Sequence, residues 1–242
     1  MPKEIELSLV VLCYRAEENI IPFINQLVRL VESLKKSFEI VLVGNYIPGA
    51  QDKTKEIVKN IASRDKRIKA ITKPKEGMMG WDMLGGMKVA TGRYICVIDG
   101  DGQFPIDSIE KCFSMIKTKK LDLVKTYRTV RHDGVYRKFI SRAYNILFKV
   151  LFPGLKCKDV NSKPKILSRE LFNNMDLTST GWFIDAEIMI NVRRLNSKFE
   201  ELPITFYNIN VRSSFVKFKA IFEFVINLFQ YRMKESFIKK QK

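Results

Sequence analysis

Between residues 6 and 126 the chain alternates short unbroken apolar runs with longer segments whose apolar residues recur every three or four positions. The runs are Glu6–Cys13, Phe38–Val43, Ile68–Thr72, Tyr94–Asp99 and Leu121–Thr126. Runs this short, with few polar interruptions, read as strands buried on both faces. Between them, Ile20, Ile21, Ile24, Leu27, Val28, Val31 and Leu34 keep helical spacing, and the pattern predicts further helices at about 53–62, 80–90 and 106–116. Strands alternating with helices at this interval imply βαβ units with right-handed crossovers. The expected fold is therefore α/β, a Rossmann-type, mostly parallel sheet flanked by helices. Neither an internal repeat nor a low-complexity linker interrupts the pattern.

After residue 127 the pattern changes. Residues 128–138 read as a basic loop, followed by a helix with the apolar stripe Phe139, Ile140, Ala143, Ile146, Leu147, Val150 and Leu151. Lys138, Arg142, Asn145 and Lys149 fall on its opposite face. Near the end, Phe218, Ile221, Phe222, Val225, Leu228, Phe229, Met233 and Phe237 form a second stripe rimmed by lysines. The expected division is a main domain at 1–215 and an amphipathic basic helix at 216–242. Aromatic-rich amphipathic helices with basic rims suit contact with an anionic membrane surface. Packing on the core, a homo-oligomer interface or a membrane-protein partner would use the same stripes.

Composition narrows the function classes. With 46% hydrophobic residues in 242, a sizeable core is available, and the net charge of +17 calls for an anionic partner. The basic residues do not interleave with exposed stacking aromatics, so nucleic acid is not the expected partner. Cys13, Cys96, Cys112 and Cys157 lack Cys-x-x-Cys spacing and read as reduced core residues. A single histidine, His132, argues against His-based triads and multi-His metal sites. The first residues lack a signal-peptide apolar core, and no window approaches 18 uncharged apolar residues, so neither a leader nor a spanning helix is expected. The expected place is cytoplasmic, peripheral on the cytoplasmic face of a membrane.

The candidate chemistry sits at the end of the fourth run. Asp99-Gly-Asp-Gly-Gln103 places two carboxylates and an amide oxygen at alternate positions, where open α/β sheets hold ligands. Such hard oxygens suit Mg²⁺ or Mn²⁺. An acidic turn is the plainer reading of the same residues.

In this order and spacing, several motifs resemble the family-2 glycosyltransferases of GT-A fold, and within them the dolichyl- and polyprenyl-phosphate sugar transferases. They are Tyr14 with Glu18-Asn19-Ile20, Gly86-Met-Lys-Val-Ala-Thr-Gly92, Asp99-Gly-Asp-Gly-Gln103, Arg137 with Ser141-Arg142 and Asn145, and Glu201-Leu-Pro-Ile-Thr205. The resemblance covers about residues 7–206. It implies an inverting enzyme that moves a sugar from a nucleotide-sugar donor to a lipid-phosphate acceptor. Asp99, Asp101 and Gln103 match the positions that bind the divalent ion. Arg128, Arg137 and Ser141 match positions that hold phosphates. Tyr14, Glu17, Asn45, Gly80, Asp82, Asp99 and Gly100 are the implied donor contacts, with Asp101, Arg128, Arg137 and Glu187 as the catalytic set. Asp185 and Glu187 match a later acidic motif that touches sugar hydroxyls or supplies a base, and Asp159 matches a structural or sugar-binding aspartate. A helix-start cap explains Asp185 and Glu187 equally well.

The chain departs from the pattern. Ala16 stands where the family has an acid, with Glu17 beside it, and Gly44-Asn45 replaces a pair of aspartates that reads the base. Asp82 stands where a small residue is usual. A degraded segment, Ile209-Asn-Val-Arg-Ser-Ser-Phe215, follows the Glu-x-Pro-Ile motif. Two further readings stay open on these grounds: a saccharide-hydroxyl acceptor with Glu187 as base, and a non-catalytic relative.

Overall fold

The computed structural model describes residues 4–131, 135–207 and 218–240, with side chains at 131–138, 218–222 and 236–240 left undescribed. The predicted alternation is present: β1 (Leu7–Leu12), α1 (Ile20–Ser33), β2 (Phe38–Val43), α2 (Thr54–Arg64), β3 (Ile68–Ile71), α3 (Met79–Val89), β4 (Tyr94–Asp99), α4 (Asp107–Thr118) and β5 (Leu123–Arg131). It continues through α5 (Val135–Leu151), β6 (Lys165–Ser168), α6 (Arg169–Asn174), α7 (Ile184–Arg194), β7 (Phe199–Phe206) and α8 (Phe218–Lys240).

The seven strands form one sheet in the order β3-β2-β1-β4-β6-β5-β7. Only β6 runs antiparallel to its neighbours among the named strands. Strand alternation sends successive side chains to opposite faces. In β1, Leu7, Leu9 and Val11 join the core under α1, α2 and α4, while Val10 and Leu12 join the core under α3, α5 and α7. Both faces are covered, which is why these strands carry almost no exposed residue. Because β2 and β4 flank β1, the chain reverses direction across the sheet at β1, and the carboxyl ends of β2, β1 and β4 lie side by side. That is the switch point where doubly wound sheets bind ligands.

The segment 128–131 is strand, not loop as the basic composition implied. β7 pairs with β5 out to Arg131 opposite Phe206, with an irregularity between Arg128 and Val130, and this pairing extends β5. The α5 stripe is also rotated from the expected one. Phe148 faces the core with Tyr144 and Leu147 against it, whereas Phe139, Ile146 and Val150 are 70%, 56% and 70% exposed. Asn145 turns inward instead of joining a solvated basic face: its Oδ1 accepts from the Val160 N–H at 3.0 Å and its Nδ2 donates to the Ser141 carbonyl at 2.8 Å. Leu228 of α8 is fully buried in the core shared with α5 and α7, while Phe229 and Met233 stay exposed. No described helix is long and apolar enough to cross a membrane. All four cysteines are buried.

Candidate active site

Three groups of side chains gather along the carboxyl edge of the sheet. The first follows β1 and β2. Tyr14 lies two residues past β1, and the Lys75 ammonium sits 4.3 Å from its ring centroid. Lys75 is ion-paired with Asp82 on α3, and Asp82 Oδ1 accepts from Asn45 Nδ2 at 2.9 Å. Asn45 Oδ1 in turn accepts from the Lys73 N–H at 2.8 Å. Both ends of the Asn45 amide are therefore committed inside the protein. Burial raises the Asp82 carboxylate above its ordinary value, against the pull of Lys75 and Asn45. Asp82 does stand beside the replaced aspartate position, but as the partner of Lys75 and Asn45. Glu17 adopts a positive φ of 48°, and its N–H donates to Thr54 Oγ1 at 2.9 Å.

The second group is at β4. Asp99 ends the strand, and Asp101 Oδ1 accepts from the Gln103 N–H at 3.0 Å in the turn that follows. Gln103 Nε2 reaches the Tyr207 carbonyl at 3.4 Å. Gly100 is buried, and a Cβ there would lie 2.5 Å from Ile20 Cδ1, so the end of that side chain would have to turn aside. Gly80, another implied donor contact, is held more strictly, because a Cβ would lie 2.2 Å from the Ser179 carbonyl oxygen. Among the described residues no group of three or more acid, thiol or imidazole side chains is placed to hold a metal. Two carboxylates and one amide oxygen nonetheless fit an ion of the Mg²⁺ type, which keeps water and phosphate oxygens as its other ligands.

The third group is ionic and buried, and composition gave no sign of it. Arg128 on β5 donates through Nε at 2.6 Å and Nη2 at 2.9 Å to the two oxygens of Asp159, and lies 5.3 Å from the Phe206 ring centroid. Burial raises the Asp159 carboxylate, yet the Arg128 guanidinium outweighs it and holds the group well below the usual range. Lys125, fully buried, pairs with Glu201 at 3.1 Å, and Glu201 also accepts from the Lys158 N–H at 2.7 Å. Lys165 pairs with Asp185 at 2.5 Å. Lys163 stands between Asp185 at 3.5 Å and Asp99 at 3.1 Å. Four cations, Lys125, Arg128, Lys163 and Lys165, thus face four anions, Asp99, Asp159, Asp185 and Glu201, in a balanced lattice under the edge. Burial pulls Lys163 down, but Asp185 and Asp99 more than offset it and its pKa is raised. Lys165, buried and crowded by Lys125 and Lys163, is lowered to about 8 despite Asp185.

The two acids of α7 separate cleanly. Asp185 faces this lattice, while Glu187 is buried on another side of the helix. Glu187 Oε1 accepts from the Thr178 N–H at 2.9 Å and from the Tyr231 hydroxyl, and Oε2 accepts from the Ser179 N–H at 2.9 Å. It ties down the loop whose Thr180 and Gly181 carbonyls accept the first N–H groups of α3. Ser141 lies on α5 near Asn145, and the Arg137 side chain lies outside the described residues. So Tyr14, Asn45, Asp82, Asp99, Asp101, Gln103, Arg128 and Asp185 share one edge, and Glu187 braces it from behind. Lys75, Lys125, Lys163 and Lys165 went unnoticed in the sequence. For Lys165 the one signal is its place directly before the apolar Ile166-Leu167 of β6.

Fold and site define a doubly wound α/β enzyme that gathers carboxylates and basic side chains at the switch point of its sheet. The model for glycosyl transferase family 2 matches residues 8–192, and the chain belongs to that family. It is a glycosyltransferase. The chain is 29% identical over 226 residues to a dolichyl-phosphate beta-glucosyltransferase of Trichomonas vaginalis, covering 86% of this chain and 68% of the relative. It is 28% identical over 232 residues to the dolichol-phosphate mannosyltransferase of Pyrococcus furiosus, covering 93% and 63% respectively. The chain therefore spans roughly two thirds of the length of these relatives. In fold it is similar to glucosyl-3-phosphoglycerate synthase from Mycobacterium tuberculosis, solved with Mn²⁺, uridine diphosphate and phosphoglyceric acid, at TM-score 0.72 and 19% identity over 94% of this chain and 78% of that one. Mannosyl-3-phosphoglycerate synthase from Rubrobacter xylanophilus gives TM-score 0.73 at 16% identity, over 96% and 75%. The sheet is thus of the GT-A type.

Proposed function

We propose that this glycosyltransferase moves a sugar, with inversion, from a nucleoside diphosphate to a polyprenyl phosphate of the dolichyl or undecaprenyl type at a membrane surface, using a divalent ion. The observation that carries this reading is the pairing of Asp99 and Asp101 at the end of β4 with Arg128, in the second half of β5. One strand separates them, so the two sites lie roughly 10 Å apart along the edge, about the span of a diphosphate and a sugar ring. The relatives named for dolichyl-phosphate transfer support the acceptor class.

Asp99, Asp101 and Gln103 would hold Mg²⁺ or Mn²⁺. When bound there, such an ion stabilises the charge that builds on the departing diphosphate. Tyr14, backed by Lys75, would flank the base, with Asn45 and Asp82 holding Lys75 from within. Arg128, its fork fixed by Asp159, brings positive charge toward the acceptor phosphate. An acceptor phosphate oxygen forms the new bond to the anomeric carbon while the bond to the diphosphate breaks, and the nucleoside diphosphate leaves with the electron pair. A phosphate acceptor is already anionic and needs no base. Glu187, with both oxygens engaged, supports this acceptor over a hydroxyl. The apolar residues that α5 and α8 leave exposed, Phe139, Ile146, Val150, Phe229 and Met233, support docking on an anionic bilayer.

The test is transfer of labelled sugar to polyprenyl phosphate in vesicles, with and without Mn²⁺. Asp101→Ala should lower turnover by about 100-fold or more, on the order of a lost charge-stabilising contact, while leaving the melting temperature in place. Full turnover by Asp101→Ala would overturn the assignment. Vesicle flotation at low and high salt checks the docking: binding should weaken with salt, and salt-independent absence of binding would contradict it.

A further inference from the structure

The Lys163 ammonium sits against the carboxylate of Asp99. It lies 3.1 Å from Oδ1 and 3.2 Å from Oδ2, spanning both oxygens. On its far side, 3.5 Å away, is Asp185 Oδ2. That oxygen is buried and has no hydrogen-bond partner among the described residues, although Oδ1 of the same carboxylate is paired with Lys165. Unsatisfied buried carboxylate oxygens are costly and uncommon. Lys163 therefore stands between one acceptor it holds and another left open. A movement of about half an ångström toward Asp185 would complete a normal hydrogen bond there. Met79 Sδ, at 3.2 Å, is a weak acceptor that would not oppose it.

We propose that Lys163 is a positioning residue that makes ion binding depend on the nucleotide: it holds Asp99 while the site is empty, and passes to Asp185 Oδ2 when ion and diphosphate enter together. This rests on the reading that Asp99 and Asp101 hold the ion. An ion arriving alone must displace an ammonium and then sit beside it, positive against positive. An ion arriving with a diphosphate brings negative charge that compensates for the contact. The unfilled oxygen of Asp185 gives the displaced ammonium somewhere to go. Lys163 thereby favours loading of the donor complex over loading of the bare metal.

The experiment titrates Mn²⁺ into the full chain and follows the free-ion paramagnetic resonance signal, with and without uridine or guanosine diphosphate. Lys163→Met should bind Mn²⁺ alone about tenfold more tightly than the unaltered chain, and lose most of the nucleotide's enhancement. Lys163→Arg, which keeps the cation, should behave as the unaltered chain does. The paired variant Asp185→Leu with Lys165→Met replaces both halves of one buried pair by apolar side chains, which is often nearly neutral for folding. It strands Lys163 on Asp99, so Mn²⁺ binding in the presence of nucleotide should weaken about tenfold. Unchanged or weaker Mn²⁺ binding by Lys163→Met in the absence of nucleotide overturns the proposal. If that variant does not fold, unchanged nucleotide-dependent binding in the paired variant overturns it instead. Asp101→Ala separates the two levels. Retained Mn²⁺ binding in Asp101→Ala removes the metal reading itself. Binding lost there, with Lys163→Met unaffected, removes only the role of Lys163.

Discussion

Two carboxylates, Glu39 on β2 and Asp185 on α7, are both nearly closed to solvent, and they are treated in opposite ways. Glu39, near the foot of β2, accepts from Ser8 Oγ at 2.6 Å, from the Thr91 N–H at 2.5 Å and hydroxyl at 2.9 Å, and from Lys69 at 2.6 Å. Both oxygens have donors, and the group joins β1, β2, β3 and the turn before β4. Asp185, near the carboxyl edge, has one oxygen paired with Lys165 and the other unsatisfied beside Lys163. A fully satisfied buried group serves to hold strands together. A partly satisfied one, set against a cation shared with the Asp-x-Asp turn, keeps the capacity to rearrange. The foot of the sheet is closed; its carboxyl edge is poised.

Variants at each end sharpen this contrast. The largest effect belongs to Lys165→Met, which leaves the Asp185 charge buried with only Lys163 nearby. The loss should be about 3–5 kcal/mol, read as a fall of about 10 °C in melting temperature for a chain of this size. It should also alter Mn²⁺ affinity, because Lys163 is drawn toward Asp185. A melting temperature unmoved by Lys165→Met would show that the lattice is not the charged network described.

Glu39→Gln should cost about 1–3 kcal/mol and leave Mn²⁺ and nucleotide binding unchanged. Altered binding would erase the distinction between the two ends. The same variant carries a pH signature. Burial opposes the Glu39 charge, but the hydrogen bonds from Lys69, Ser8 and Thr91 prevail, lowering its pKa from 4.5 to about 2. Between those values the unfolded chain binds the proton and the folded chain does not. Stability from this group is therefore present above about pH 4.5 and is lost as pH falls toward 2. Acid titration of the melting temperature should be shallower in Glu39→Gln over that window, and an identical slope would contradict the assignment.

The smallest effect is expected from Tyr231→Phe. It removes one of the donors to Glu187 and the link between α8 and the loop at 178–179, at a cost of about 1 kcal/mol. The change in melting temperature should be about 2–4 °C. A loss as large as that of Lys165→Met would mean that α8 braces the edge far more than one hydroxyl accounts for.

How much of this was legible in the sequence follows from the same contrast. β1, β2 and β4 are buried on both faces and the helices between them keep one apolar stripe, so periodicity located these elements to within a residue or two. Asp99, Asp101 and Gln103 were visible because acids directly after an apolar strand are conspicuous. In the other half of the sheet only the first part of β5, up to Thr126, was legible; its extension to Arg131 and the strands β6 and β7 were not. The strands of this half bury Lys125 and Lys165, and Lys163 lies beside them, so in a chain of net charge +17 they look like surface lysines. Only pairing with Glu201, Asp185 and Asp99, all distant in sequence, allows them inside. The same nonlocal pairing pulled Arg128 into β5 through β7. Glu187 read as a sugar contact or a base through the resemblance of its motif, and as a helix-start cap through its position. Its engagement by Thr178, Ser179 and Tyr231 depends on α8, which lies 44 residues away at Tyr231.

The central claim is that Asp99 and Asp101 hold the ion against the donor's diphosphate. It is tested most directly by the anomalous signal of Mn²⁺ in crystals grown with a nucleoside diphosphate sugar. The expected result is one peak about 2 Å from a carboxylate oxygen of Asp101 and from diphosphate oxygens, with Lys163 turned to Asp185. A nucleotide bound with no peak beside Asp101, or a peak elsewhere in the molecule, would contradict it.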